Sequence, residues 1–328
     1  MRSEQSEAGQ GAGAPLVAVI TPVYNGGAFL EETMRCVQAQ SYPNLVHVVL
    51  DNASTDTTAE IIRAARENAR VPVLAFRNEK LLPQIENWNA AMQHAPPEAE
   101  FLRLLCADDT MTPDSVAASV ALAQRDPEIV MVAHNHINGE RLDDFSWPEG
   151  ESVLDGAELV RGFFENRMGF FATHTLLRAA LRERRTPWFD TGVLGADFEG
   201  VLGMAMHGKV GLINQPLGWT RVHEASVTST VMNKRNTHFQ DWLLALHRYG
   251  PQVFEASAFK HLARRYRRYY VRRLLRWRLR DGEAAAAPHA AALARHGVRL
   301  GAPVIADAVL DWAMTRAGLR PDWRGWPS

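Results

Sequence analysis

Short apolar runs alternate with polar loops and with segments of helical spacing along the first two thirds of this chain. Leu16 to Ile20, Val46 to Leu50, Val71 to Phe76 and the run from Phe101 to Cys106 each read as a buried strand. Between them, Phe29, Leu30, Met34 and Val37 mark one face of a helix reaching about Gln40, and Tyr42-Pro43-Asn44 breaks it. Thr57 and Glu60 have capping-box spacing ahead of a helix through Ile61 and Ile62. A further helix spans about Glu86 to His94, and Thr112-Pro113 signals the start of another after the fourth strand. Val210 to Trp219 adds a later strand. Strand, loop and helix in repetition predict an α/β fold with parallel strands and right-handed crossovers.

Each early strand ends in polar residues: Thr21 to Gly27 after the first, Asp51-Asn52-Ala53-Ser54-Thr55-Asp56 after the second, and Asp108-Asp109 after the fourth. In such a sheet these loops share one edge, so Tyr24, Asp51 and the Asp pair border a common crevice. Neighbouring residues of an extended segment point to opposite sides. Without a sharp turn, Asp108 and Asp109 therefore touch two parts of one long ligand, such as a sugar hydroxyl and a hard cation on phosphate. A solvated loop with a helix-capping acid is the plain alternative. No G-x-G-x-x-G follows the first strand and no G-x-x-x-x-G-K-[ST] occurs, which removes support for dehydrogenase-type and P-loop sites.

The residues Pro22-Val23-Tyr24-Asn25, Asp51 to Asp56, Asn87-Trp88-Asn89 and Leu104 to Asp109 resemble the nucleotide-binding half of a family-two glycosyltransferase with the GT-A fold. The likeness continues through Phe189-Asp190, Gly195 to Glu199, Gly208-Lys209-Val210 and Arg221-Val222-His223. It implies a Rossmann-like, mostly parallel sheet flanked by helices over residues 15–230; it does not cover residues 231–328, which read on their own as a helical extension. It further implies an inverting, metal-dependent transfer of a sugar from a nucleotide diphosphate, UDP first, to an acceptor hydroxyl; with the basic helix near the C-terminus, that acceptor is expected to be a saccharide or lipid-linked saccharide in bacterial surface glycan assembly. A soluble natural-product acceptor and a non-catalytic nucleotide-sugar scaffold are the alternatives.

By the same resemblance, Pro22, Tyr24, Asn25, Asp51, Asn52 and Asp108 hold the nucleotide sugar, with Asn52 standing where an acid is usual. Asp109 and His223 hold Mn²⁺ or Mg²⁺, and Asp197 is the general base. Cys106 stands where the pattern has a further acid, and Ala196 where it has Glu. Gly169 to His174 matches the segment over the donor sugar.

Composition changes the picture mainly at the C-terminus. The formal net charge of the 328 residues is -1, and the two cysteines, Cys36 and Cys106, offer no disulfide framework or zinc spacing. Residues 1–14 read as a disordered tail rather than a signal peptide, and no apolar run reaches membrane-spanning length, so a cytoplasmic location is expected. From Phe259, however, arginines crowd a helix over 259–280 whose Phe259, Leu262, Tyr266, Tyr270, Leu274 and Trp277 share one face. That pattern fits peripheral contact with an anionic membrane at its inner face, or docking on the catalytic domain with the arginines paired to acids. Nucleic acid is disfavoured for want of a base-reading motif. Asp281 to His296, alanine-rich around Pro288, reads as a linker with a following short helix. The tryptophans from Trp312 onward pack back on the core or join an interface, a homodimer among the options.

Overall fold

The computed structural model describes residues 13–143, 145–169, 174–193, 195–224, 226 and 235–320. Its early elements are β1 (Val17–Val23), α1 (Leu30–Gln38), β2 (Leu45–Asp51), α2 (Thr58–Glu67), β3 (Val73–Arg77), α3 (Gln84–Gln93) and β4 (Phe101–Leu104). Every residue of β1, β2 and β4 is buried, as continuous apolar runs require of strands covered on both faces. Parallel pairing β3-β2-β1-β4 sets the carboxyl ends of these strands along one edge.

Beyond β4 the sheet becomes mixed. The chain adds β5 (Thr110–Met111), α4 (Ser115–Ala123), β6 (Ile129–Asn138), β7 (Arg141–Leu142), β8 (Glu151–Asp155), α5 (Gly156–Phe164), β9 (Thr175–Arg178), α6 (Ala196–Ala205) and β10 (Lys209–Thr220). β9 lies antiparallel between β4 and β6, and β10 runs parallel to β6 and then antiparallel to β5. The return of β10 past β5 carries Arg221 to His223 to the loop holding Asp108 and Asp109.

Local details depart from the sequence reading in three places. Thr57 is the N-cap of α2 but makes no side-chain cap bond. Asp56 does that work instead, its Oδ1 accepting from Thr58 N at 3.1 Å. Helix α4 begins at Ser115 rather than at Pro113, because Thr112 and Asp114 bond to each other in a turn ahead of it. Residues 283–295 are no linker: they form an unbroken helix that accommodates Pro288.

The extension consists of α7 (His238–Val253), α8 (Ala256–Asp281), α9 (Glu283–Arg295) and α10 (Ala302–Arg316). Leu262, Tyr266, Tyr270, Leu274 and Trp277 of α8 are buried, as their shared spacing predicts. They face the chain's own helices. Tyr266 packs on Trp242 with ring centroids 4.0 Å apart and donates to Phe239 O at 2.8 Å, and the Tyr270 hydroxyl lies 2.6 Å from His289 Nδ1. This overturns membrane contact through the aromatic face of 259–280. Burying each such side chain is worth ~1.5–3 kcal/mol, more than an exposed ion pair supplies. Among the described residues, no helix is long and apolar enough to cross a membrane.

Candidate active site

Three loops meet at the strand edge, and side-chain to backbone bonds lock them together. Asn25, at φ 50°, takes Thr55 N onto its Oδ1 at 2.9 Å, while its own N–H donates to Ser54 Oγ at 2.9 Å. Gly27 N donates to Asp56 Oδ2 at 2.8 Å, and a Cβ at Gly27 would meet that same oxygen at 2.8 Å, so a larger residue would have to push the Asp56 side chain aside. Pro22 is buried in β1, whereas Tyr24 is half exposed on the loop.

The second loop differs from expectation at Asn52. Its Oδ1 accepts from Leu82 N at 2.9 Å and Asn78 Nδ2 at 2.8 Å, and its Nδ2 donates to Leu82 O at 2.9 Å. Buried and so engaged, the carboxamide holds the 78–82 segment rather than offering a free edge to a base. Asp51 is also buried, with Oδ1 on Ser54 N at 2.8 Å and Oδ2 paired to Arg77.

The acidic loop turns sharply, which the sequence reading did not foresee. Asp109 N donates back to Cys106 O at 3.1 Å, and the Thr33 hydroxyl of α1 bridges Ala107 O and Asp109 O at 2.9 Å each. Consequently Cys106 Sγ and carboxylate oxygens of Asp108 and Asp109 all lie within 4.8 Å of one another. Asp109 is 3% exposed. Burial, and then the neighbouring Asp108 charge, push its carboxyl up to about 8, although Arg221 opposes the shift through its N–H 3.1 Å from Oδ1. Two converging carboxylates, one of them driven toward its neutral form, fit a hard divalent cation that shares its remaining shell with phosphate and water.

His223 stands outside that group. Its Nε2 lies 3.0 Å from Asp108 Oδ2, so it partners the carboxylate assigned to the sugar rather than the one assigned to the metal. Arg221 is set between the rings of Phe29 and Trp219, 4.7 Å from each, and donates to Asp108 O and Glu32 Oε2. Behind Asp109 lies His174, buried, its Nε2 3.9 Å from Asp109 Oδ2 and 2.9 Å from Thr220 Oγ1. Burial, with His134 and Arg103 nearby, holds its pKa well below the usual histidine range, so it meets Asp109 as a neutral ring. Phe170 to Thr173, just before it, lie outside the described residues.

Asp197 sits in the first turn of α6, partly buried, and burial raises its carboxyl above the ordinary range against the pull of local backbone N–H groups. Burial, and after it the charges of Asp109, Asp108 and Asp197, raise the Cys106 thiol, so Asp197 lies near the acidic loop. Helix α6 is anchored from the extension. Glu199 accepts from Arg185 and Arg248 at 2.6 Å each and from Tyr249, and Gly195 N donates to Asp241 Oδ2 at 3.0 Å. Asn89 of α3 adds a two-way clasp on the Phe189 backbone.

Thr33 and Arg103 went unremarked in the sequence, and His174 was read there only as part of the segment over the donor sugar. Arg103 interrupts an apolar strand, a signal in itself. It is fully buried, bonded to Ser115 Oγ at 2.9 Å and His134 Nε2 at 2.7 Å, and burial lowers it to about 10.

This architecture defines a class. It matches solved GT-A transferases: Staphylococcus aureus TarS in complex with UDP-GlcNAc (TM-score 0.60, 15% identity, 76% of this chain and 71% of that one). It also matches the Pyrobaculum calidifontis mannosyltransferase PcManGT in complex with GDP-Man and Mn²⁺ (TM-score 0.58, 20% identity, 93% of this chain and 81% of that one). At these identities the likeness is one of fold. The family follows from sequence: the model of glycosyl transferase family 2 matches residues 18–184, and this chain belongs to that family. An uncharacterized glycosyltransferase of Rickettsia typhi is 38% identical over 234 residues, 70% of this chain and 71% of that protein. Abequosyltransferase RfbV of Salmonella typhimurium is 29% identical over 143 residues, 39% of this chain. This chain spans 41% of the length of the Streptococcus pneumoniae glycosyltransferase GlyG and 42% of RfbV.

Proposed function

We propose that this protein is an inverting glycosyltransferase that uses a nucleotide-sugar donor and a divalent cation, with a saccharide or lipid-linked saccharide of a bacterial surface polymer as acceptor. The convergence of Asp108 and Asp109 at the carboxyl end of β4 carries the reading. Pro22, Tyr24, Asn25 and Asp51 line the nucleoside side of the crevice, and Asp108 orients the sugar. Asp109 would hold Mn²⁺ or Mg²⁺ together with donor phosphate. Such an ion neutralises the charge that grows on the departing diphosphate. His223 steadies Asp108 in this arrangement and reaches the ion only by leaving it.

Asp197 is the proposed base. Its raised pKa suits a group that must take the proton of an acceptor hydroxyl as the oxygen attacks the anomeric carbon. The carbon–oxygen bond to the diphosphate breaks as the new bond forms on the opposite face, so the configuration inverts. TarS is solved with UDP-GlcNAc and PcManGT with GDP-Man, and UDP is the first choice here, because Asp51 is retained.

The test is thermal unfolding with UDP, dTDP and GDP, each with and without Mn²⁺. A ligand at 100 times its Kd adds about 2.7 kcal/mol to the folded state. A rise that needs the ion and disappears in Asp109→Asn supports the reading. No rise with any nucleotide sinks it, and a scaffold without a donor site becomes the better account.

A further inference from the structure

Helix α10 is built inside out. Its two acids, Asp307 and Asp311, point inward to Arg264, Arg267, Arg268 and Arg272 of α8, at 2.6–3.1 Å. Of its exposed residues only Arg316 is charged, and that guanidinium lies over the Trp312 ring at 5.8 Å. Val309, Leu310 and Trp312 are 48%, 59% and 48% exposed, flanked by Ala306 and Ala313, and Leu319 just beyond is 71% exposed. A helix packed for stability alone would turn these groups inward and its aspartates to water.

The charge around it is one-sided. Residues 256–320 carry fourteen Lys and Arg against four Asp and Glu, whereas residues 13–255 carry twenty against thirty. With both acids of α10 covered by arginine, the outward apolar strip carries Arg316 as its one exposed charge and lies in a segment of net positive charge. We propose that this face of α10 seats in the headgroup region of an anionic lipid membrane, with Leu310 and Trp312 entering the acyl boundary and the surrounding arginines meeting lipid phosphates. A second copy fits poorly, since a two-fold contact would bring two surfaces of the same sign together. Nucleic acid would be met by arginine and would leave the apolar strip in water. The inference does not rest on the donor chemistry. It relocates the membrane contact from the aromatic face of α8, which is internal, to a helix whose apolar face is external.

The test is co-sedimentation of the full chain with vesicles of phosphatidylglycerol and phosphatidylcholine in equal parts, against phosphatidylcholine alone, with analytical ultracentrifugation of the lipid-free protein. Binding to the anionic vesicles only, reduced at least tenfold in Leu310→Asp/Trp312→Asp while the unfolding midpoint and nucleotide-induced shift stay as in the parent, is the expected result. Leu310→Ser/Trp312→Ser, which adds no charge, should weaken binding in the same direction. Absence of vesicle binding, equal binding by the parent and both variants, or a dimer that these variants split into monomers would each overturn the proposal.

Discussion

Two pairs of acids, some two hundred residues apart, show how differently one chain treats carboxylates. Asp307 and Asp311 on α10 are saturated: Asp307 accepts from Arg268, Arg264 and Arg267, and these bonds, Arg268 foremost, hold it well below the ordinary carboxylate range. Burial alone would raise Asp311, but Arg320 and Arg272 reverse that and leave it lowered. Asp109 goes the other way, upward, because it is buried beside Asp108, and the backbone N–H and charge of Arg221 do not offset this. The Arg221 guanidinium directs its own hydrogen bonds to Glu32 and to Asp108 O, so its charge lowers the Asp109 carboxyl only in part. Where the chain supplies the cations, acids cement two helices. Where it withholds them, the site is left fit for a cation from outside.

The comparison is most sharply tested through turnover. Asp197→Asn removes the proposed proton acceptor and should lower kcat by about 10²–10⁴-fold while the nucleotide-dependent rise in unfolding midpoint persists. Turnover within a fewfold of the parent would dismiss Asp197 as the base. Asp307→Asn, in contrast, should leave turnover per folded molecule unchanged, since that acid pair works between α8 and α10.

Stability should divide the pairs in the opposite sense. Asp307→Ala removes the acid shared by Arg264, Arg267 and Arg268, leaving Arg268, 12% exposed, with Asp311 alone, and should cost about 1–3 kcal/mol in urea unfolding. Asp109→Asn in metal-free protein relieves a buried, repelled carboxylate and should be neutral or stabilising. If Asp109→Asn cost as much as Asp307→Ala, the two acid pairs would be structural alike.

Much of this contrast was legible in the sequence, and the reasons are local. Apolar runs ending in Tyr24, Asp51 and Asp108 placed three loops on one sheet edge, because parallel pairing leaves no other arrangement. The helical spacing of Tyr266, Tyr270 and Trp277 disclosed one apolar face of α8, but not that α7 and α9 would cover it. What stayed hidden depends on turns and on long-range partners. The tight turn from Cys106 to Asp109 brings together carboxylates that an extended chain would separate. Asn52 is drawn inward by Leu82, thirty residues on, and His223 is captured by Asp108 across more than a hundred. Pro288 suggested a break, yet α9 runs through it.

The last test is the pH dependence of stability, and there the two pairs oppose each other in sign. Asp307 has a folded pKa below its unfolded one, so its contribution is present above the ordinary carboxylate pKa near 3.8 and is lost as pH falls below that value. Asp109 has a folded pKa of about 8 against 3.8, so the unfolded chain releases this proton first. Metal-free protein should therefore lose stability as pH rises from about 4 to about 8, with a slope of at most about 1.4 kcal/mol per pH unit from this group. Asp109→Asn should flatten that limb and leave the acid limb intact, whereas Asp307→Asn should shrink the acid limb alone. Urea midpoints of the parent and both variants, measured from pH 3 to 9 in chelator, decide the matter. A neutral limb that persists in Asp109→Asn would show that the strand-edge acid is held ionised, and the contrast between a site awaiting a cation and one already supplied would fail.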